Sequence, residues 1–285
     1  MRKRRFSILL AVFFSIATSS ILGKSSCFAT ERTIAGKNGW IFYTAAGDGS
    51  TIYDYKGINH YSPMGLERAA NNLLAAEKAV EQRGAGFIVY IAPNKETIYS
   101  QYMPESIKRK TTYTRADQLV DYLDANTGLN VGYPKDELLE KKNDYELYYP
   151  NDTHWNKKGQ FIGVQELMDL TDGKKVSLDD VKFRMKKSHY GDLCGLSNGK
   201  YNFLCKQFMF ASKVKAKDKS NKKIFIVGDS FGNAMTGIAK RYYKSVRFCH
   251  INNFHISMVR KGETIVWEAV ERYQDKFTHI NFSVK

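Results

Sequence analysis

The chain is 285 residues long and 43% hydrophobic, and its 44 Lys and Arg outnumber 29 Asp and Glu for a formal charge of +15. That length and apolar content suffice for one sizeable core, and no stretch rich in Gly, Ser and Pro divides it. Internal repeats and low-complexity tracts are absent, so repeat architectures are excluded and one folded domain is expected.

The first residues, Arg2, Lys3, Arg4 and Arg5, precede an apolar run from Phe6 to Leu22, and Cys27-Phe28-Ala29 offers a small residue at a cleavage position. This is the pattern of an export signal, with cleavage expected after Ala29. The run of about 17 apolar or small residues also stands at the lower limit for spanning a bilayer, so a membrane anchor over residues 6–22 is the alternative. Lys24 stands where lipidation of Cys27 would require an aliphatic residue. Both readings place the body outside the cytoplasm, periplasmic or extracellular, which argues against nucleic acid as a partner. Losing residues 1–29 removes five basic and no acidic residues, and the excess falls from +15 to +10. A surface with that charge concentrates a polyanion such as a uronate or wall phosphate polymer. The densest basic run, Lys213, Lys215, Lys217, Lys219, Lys222 and Lys223, reads as the solvated face of an edge strand or loop.

Ser62-Pro63 opens a helix in the favoured cap and first-turn arrangement, with Leu66, Ala70, Leu73, Leu74, Ala76 and Val80 on one face and Gly84 at its end. Gly86 to Ala92 reads as a buried parallel strand stopped by Pro93. A helix over 114–125, a short strand over 129–133 and a helix over 136–142 follow. Residues 156–170 form the next helix, and 181–212 read as short antiparallel strands. Parallel character resumes at Ile224, with further strands over 246–251 and 264–270. Alternating strands and helices predict an α/β fold: a doubly wound, mostly parallel sheet with helices on both faces, plus a small antiparallel insertion. In such folds sites form beyond the carboxyl ends of the strands.

Cys194 and Cys205 flank Gly195, Asn198 and Gly199, an arrangement that permits a hairpin disulfide in an oxidising compartment. Cys249 lies in an apolar segment and reads as a buried, inert thiol, which makes cysteine the least favoured nucleophile.

Two strings carry the chemistry. Lys222 to Val227 is a β-branched and aromatic run of strand length; Gly228-Asp229-Ser230-Phe231 follows, and Ala234, Met235, Ile238 and Ala239 recur at helical spacing. Ser230 therefore falls on a strand-to-helix turn that exposes its hydroxyl. A helix start there offers free N–H groups and a positive dipole end to an oxyanion, with Phe231 and Asn233 as candidates. The other string, Asn151-Asp152-Thr153-His154-Trp155, places a carboxylate and an imidazole two residues apart. Asp152 can hold one ring nitrogen of His154 and leave the other free to take the Ser230 proton. Taken alone, the string reads equally well as Asp152 capping the next helix beside a surface His154. No further His, Cys or Asp cluster stands nearby at ligand spacing, so no metal is predicted.

Asp152-Thr153-His154-Trp155-Asn156 with Gly159, followed by Gly228-Asp229-Ser230-Phe231, resembles the AlgX/AlgJ branch of the SGNH hydrolase superfamily, the alginate O-acetyltransferase proteins. Residues 36–42 resemble that family's opening strand, 92–99 with Pro104 its post-strand segment, and 266–273 its last strand. Ordinary SGNH esterases carry Asp-x-x-His after the serine; here Asp-x-His precedes it, so the motif order is permuted. The resemblance implies an SGNH hydrolase-like acyltransferase domain over 30–285, with Ser230 as nucleophile, His154 as general base and Asp152 as orienting carboxylate. It implies no cofactor, and as partner a membrane-embedded acyltransferase that hands acetyl groups outward. The Gly and Asn oxyanion blocks of ordinary SGNH enzymes are not identifiable here. The length leaves no room for the carbohydrate-binding module of some relatives, which brings the chain nearer the AlgJ-like form.

Lys95 and Tyr99 follow the strand ending at Ala92 and are candidates for substrate contact at the same crevice. Trp155 is a candidate to stack on a sugar ring, or else to pack beneath the loop that carries His154. Asn233, His250, Asn252, Asn253, His255 and Arg260 cluster after the nucleophile as candidate pocket residues. Local turn chemistry or plain exposure is the alternative for each. The leading expectation is an O-acyltransferase, in particular an O-acetyltransferase, acting on hydroxyls of an exported polysaccharide through an acyl-enzyme. A carbohydrate acetyl esterase with the same triad and a noncatalytic glycan-binding or scaffold protein stand as alternatives.

Overall fold

A computed structural model describes residues 32–44, 51–172, 176–211, 215 and 218–280. The predicted export signal lies outside the described residues, as do Lys213 and Lys217 of the basic run. Thr33–Ala35 (β1) and Ile41–Tyr43 (β2) pair antiparallel. A short helix, Thr51–Lys56 (α1), leads to Pro63–Glu81 (α2). Helix α2 starts as expected: Gly65 N–H donates to Ser62 Oγ at 3.1 Å and Pro63 occupies the first turn. Its buried stripe is Leu66, Ala69, Ala70, Leu73, Ala76 and Val80, while Leu74 sits a hundred degrees around from Leu73, at the exposed margin.

Gly86–Ala92 (β3) is followed by the one-turn helix Lys95–Ile98 (α3) and by Arg115–Asn126 (α4). The expected strand at 129–133 shrinks to Val131–Gly132 (β4), because only Val89 and Tyr90 lie opposite it and Pro134 then turns the chain. Lys135–Lys141 (α5) and Lys157–Asp172 (α6) precede the antiparallel insertion. The insertion consists of Phe183–Tyr190 (β5) and Leu204–Phe210 (β6) around the short helix Asp192–Leu196 (α7). Ser220–Gly228 (β7), Ser230–Tyr242 (α8), Tyr243–His250 (β8) and Glu263–Val270 (β9) complete the order. The last strand ends at Val270, as its residue pattern predicts, whereas Glu271 to Tyr273, which the resemblance alone placed in that strand, leave the sheet for a run of 3-10 turns over Glu271–His279. The reason is polar: the Val270 N–H is taken by Asp229, and Glu271 turns aside to accept from Asn94 N–H and Thr97 Oγ1.

Five strands form one parallel sheet in the order β4-β3-β9-β7-β8, so the last strand in the chain lies at its centre. Side chains alternate between two cores, as strands buried on both faces require. Ile88, Tyr90, Ile224, Ile226 and Val266 pack against α6 and α8, whereas Phe87, Val89, Phe225, Val227 and Ile265 pack against α2 and α4. This is the doubly wound α/β architecture with an antiparallel insertion. Ala92 pairs with Val270 and Gly228 with His250, so these strands end at one rim, and Ser230 stands just past it. Among the described residues no helix is long and apolar enough to cross a membrane.

Candidate active site

The turn that carries Ser230 is built from below. Asp229 caps α8: Phe231 N–H donates to its Oδ1 at 2.9 Å, and Val270 N–H to its Oδ2 at 2.9 Å. The N–H groups of Asp229 and Gly232 both donate to Glu268 Oε2, each at 3.0 Å. Glu268 has no exposed surface. Burial, with the Asp229 charge behind it, raises its carboxyl well above the usual range despite those two bonds. A Cβ at position 228 or 232 would collide with that carboxyl, which is why both positions are glycine. Asn233 N–H returns to Asp229 O at 3.1 Å. Among the described residues, the Ser230 N–H is then the one first-turn amide of α8 without an acceptor, and it points where the dipole of α8 is positive.

The second string forms a tight loop closed by an antiparallel bridge between Tyr148 and Trp155. Beneath it lies Lys95, fully buried, donating to the carbonyls of Tyr149 and Pro150 at 3.2 Å and of Asp152 at 2.7 Å. Burial lowers its pKa to about 8 against the pull of Asp152 and Asp192. The Trp155 ring is also fully buried, 5.4 Å from Phe231, and Asn156 caps α6 through Lys158 N–H at 2.9 Å.

The two strings meet. Ser230 Oγ stands 2.7 Å from His154 Nε2, and His154 Nδ1 stands 2.7 Å from Asp152 Oδ1, which also accepts the His154 N–H at 2.8 Å. The Asp152 carboxyl is mostly buried, which by itself raises its pKa. Hydrogen bonds from His154 and His189 and the charge of His154 outweigh that and hold it well below the usual carboxylate range. Ser230 is exposed and the His154 side chain is 23% exposed, so the pair opens to solvent.

Two partners of this chain were absent from the sequence reading. His189 Nε2 lies 2.7 Å from Asp152 Oδ2, and the Asp192 N–H donates to the same oxygen at 3.1 Å. The Asp192 carboxylate in turn accepts from Thr153 N–H at 2.8 Å and Thr153 Oγ1 at 2.6 Å. The string His189-Tyr190-Gly191-Asp192 also sets a histidine close to an aspartate, and that was its only signal. Tertiary folding thus adds an acidic neighbour that linear spacing excluded: Asp152, His154 and Asp192 have ligand atoms within 4.8 Å of one another. Their carboxylate oxygens are each engaged by N–H or O–H donors, which suits a hydrogen-bonded chain better than a cation.

The remaining predicted residues lie elsewhere. Lys95 and Tyr99 face inward rather than into the crevice: Tyr99 is buried, its hydroxyl donating to Tyr145 O at 3.1 Å and accepting from Leu147 N–H at 2.8 Å. Trp155 presents no open ring to a sugar. Phe231 spends its N–H on Asp229, and its buried ring lies 4.8 Å from that of His154, as packing support. Asn233 is exposed on the first turn of α8. Arg260 precedes β9 and lies at the opposite rim of the sheet, where its N–H donates to Glu263 Oε2 at 3.1 Å. His250 and Asn252 do lie at the carboxyl rim. Cys194 and Cys205 are free buried thiols, the former directed at Phe203 O, and Cys249 is half-buried against Met258 rather than fully enclosed.

The residues 33–237 match the family described as "SGNH hydrolase-like domain, acetyltransferase AlgX", which is well over half of the chain. The chain belongs to this family. Membership makes it an O-acyltransferase of the SGNH type. The match ends within α8, so β8 and β9 lie beyond it. Among solved structures, the chain is similar to the O-acetyltransferase domain of Pseudomonas putida AlgJ at 14% identity and a TM-score of 0.57, covering 85% of this chain and 92% of that one. Bacillus cereus PatB1 gives 13% identity and a TM-score of 0.58 over 89% of this chain and 100% of PatB1. Pseudomonas aeruginosa AlgX gives 12% and 0.59 over 88% of this chain but only 63% of AlgX. At these identities the likeness speaks for the fold. No curated protein sequence matches the chain.

Proposed function

We propose that this SGNH acyltransferase moves an acetyl group onto a hydroxyl of an exported polysaccharide, with Ser230 as nucleophile, His154 as general base and Asp152 as orienting carboxylate. The observation that carries the reading is the unbroken chain Ser230, His154, Asp152 with both links at 2.7 Å. His154 Nε2 takes the Ser230 proton while Oγ attacks the acyl carbon. The oxyanion develops beside the free Ser230 N–H at the start of α8. The proton on Nε2 passes to the leaving group as its bond to the acyl carbon breaks, and an acyl-enzyme remains. An acceptor hydroxyl then gives its proton to Nε2 and attacks the ester carbon, the bond from that carbon to Oγ breaks, and Nε2 returns the proton to Oγ, restoring Ser230. The open position of Ser230 suits a polymer that must lie across the surface. The basic excess and the export pattern of residues 1–29 support an acceptor outside the cytoplasm, with the acyl donor supplied by a membrane-embedded acyltransferase.

Incubation with an activated acetyl ester, followed by intact-mass and peptide analysis, tests the reading. One acetyl on the peptide holding Ser230 is expected, and Ser230→Ala is expected to lower ester turnover by roughly 10³-fold or more. Equal turnover by both forms would remove the catalytic assignment and leave a binding protein. Acetate release that added oligosaccharide never diverts into acetylated sugar would instead identify an esterase.

A further inference from the structure

We infer that the β5–β6 arm is the positioning device of the serine site, and that His189 is the residue through which it acts, holding Asp152 against His154. This rests on the serine reading above. A carboxylate offers about four lone-pair directions, and at Asp152 four donors occupy them: His154 Nδ1 and N–H on Oδ1, His189 Nε2 and the Asp192 N–H on Oδ2. A carboxylate so filled neither rotates nor takes the Nδ1 proton of His154, so that proton stays where it is and Nε2 remains the free base facing Ser230. His189 is itself aimed. Its ring stacks on Tyr149 with centroids 4.0 Å apart, and its carbonyl accepts from Asn151 Nδ2 at 3.2 Å. Asn151 Nδ2 also reaches Phe203 O at 2.6 Å, just before β6. Three consecutive loop residues, Asn151, Asp152 and Thr153, are therefore each bonded to the arm. Gly191 is pressed so closely on Asn151 O that no side chain fits there.

His189→Phe keeps a ring to stack on Tyr149 and removes the donor; His189→Gln restores an N–H near the Nε2 position. Both variants are compared with the parent and Ser230→Ala in p-nitrophenyl acetate turnover, in the rate of Ser230 sulfonylation by phenylmethanesulfonyl fluoride, and in melting temperature. His189→Phe is expected to lower kcat roughly 10- to 100-fold with KM changed by less than about threefold, the scale on which outer hydrogen-bond partners of an oriented imidazole act. Sulfonylation should slow in step, and His189→Gln should recover most of both rates. Parental kcat and sulfonylation in His189→Phe would overturn the inference, as would a rise in KM alone or a Gln variant no faster than Phe. Equal turnover by parent and Ser230→Ala would instead remove the serine reading itself, and this inference with it.

Discussion

Glu268 is a buried acid whose one oxygen receives two amide bonds, at the spot where the turn that carries Ser230 leaves the sheet. Burial favours its neutral form, and the amide of Glu268→Gln keeps an acceptor oxygen for both N–H groups. That variant should unfold within about 1 kcal/mol of the parent, whereas Glu268→Leu strands two amides and should cost roughly 2–6 kcal/mol. Urea denaturation separates the two, and a Leu variant as stable as the Gln variant would show that the amides find other partners. Ser230, His154 and Asp152 were legible in the sequence because each sits in a short string whose local geometry aims it. Lys95 was not. A lysine one turn past a strand ordinarily faces solvent, and this one is buried only because the loop 148–155, distant in sequence, folds over it and offers three carbonyls.

At the level of elements, helix starts were read well because caps are local. Helix α4 begins with a reciprocal box in which Asp117 N–H donates to Thr114 Oγ1 at 3.3 Å and Thr114 N–H to Asp117 at 2.6 Å. Thr114→Ala should cost about 1 kcal/mol of stability. It should leave p-nitrophenyl acetate turnover unchanged, since α4 packs on the face of the sheet away from α8; lost turnover at full folding would tie α4 to the site. Strand ends were read less well. The strand β4 lost residues at both ends and β8 starts three residues before the predicted 246, because pairing depends on what lies opposite, while β9 ends at Val270 as predicted, where Asp229 takes the N–H. The two strands of the insertion were anticipated as antiparallel, but their clamp on Asp152 was not, since it joins residues 37 to 40 positions apart.

Near the carboxyl rim of the sheet, Lys95, Glu96, Glu268, Glu271 and Arg272 are nearly or fully enclosed. At Glu96, burial outweighs the attraction of Arg272 and raises the pKa from 4.5 to about 7. A raised carboxyl contributes stability that is fully present below the unfolded value of 4.5 and is lost as pH rises through about 7. The parent should therefore lose ground to Glu96→Gln across that window, by at most about 1.4 kcal/mol per pH unit. Unfolding free energies at pH 5 and pH 8 check this, and a difference independent of pH would mean Glu96 stays charged throughout. The sequence alone determined the doubly wound α/β class and the strand-to-helix turn at Ser230, and it singled out Ser230, His154 and Asp152 as the candidate alcohol, imidazole and carboxylate, because periodicity, turn chemistry and capping act over a few residues. Only the tertiary structure decided that β9 enters the centre of the sheet, that Lys95 and Glu268 brace the two strings from below and that His189 shares Asp152. Those contacts join segments far apart in the chain, and burial, not local spacing, sets their chemistry.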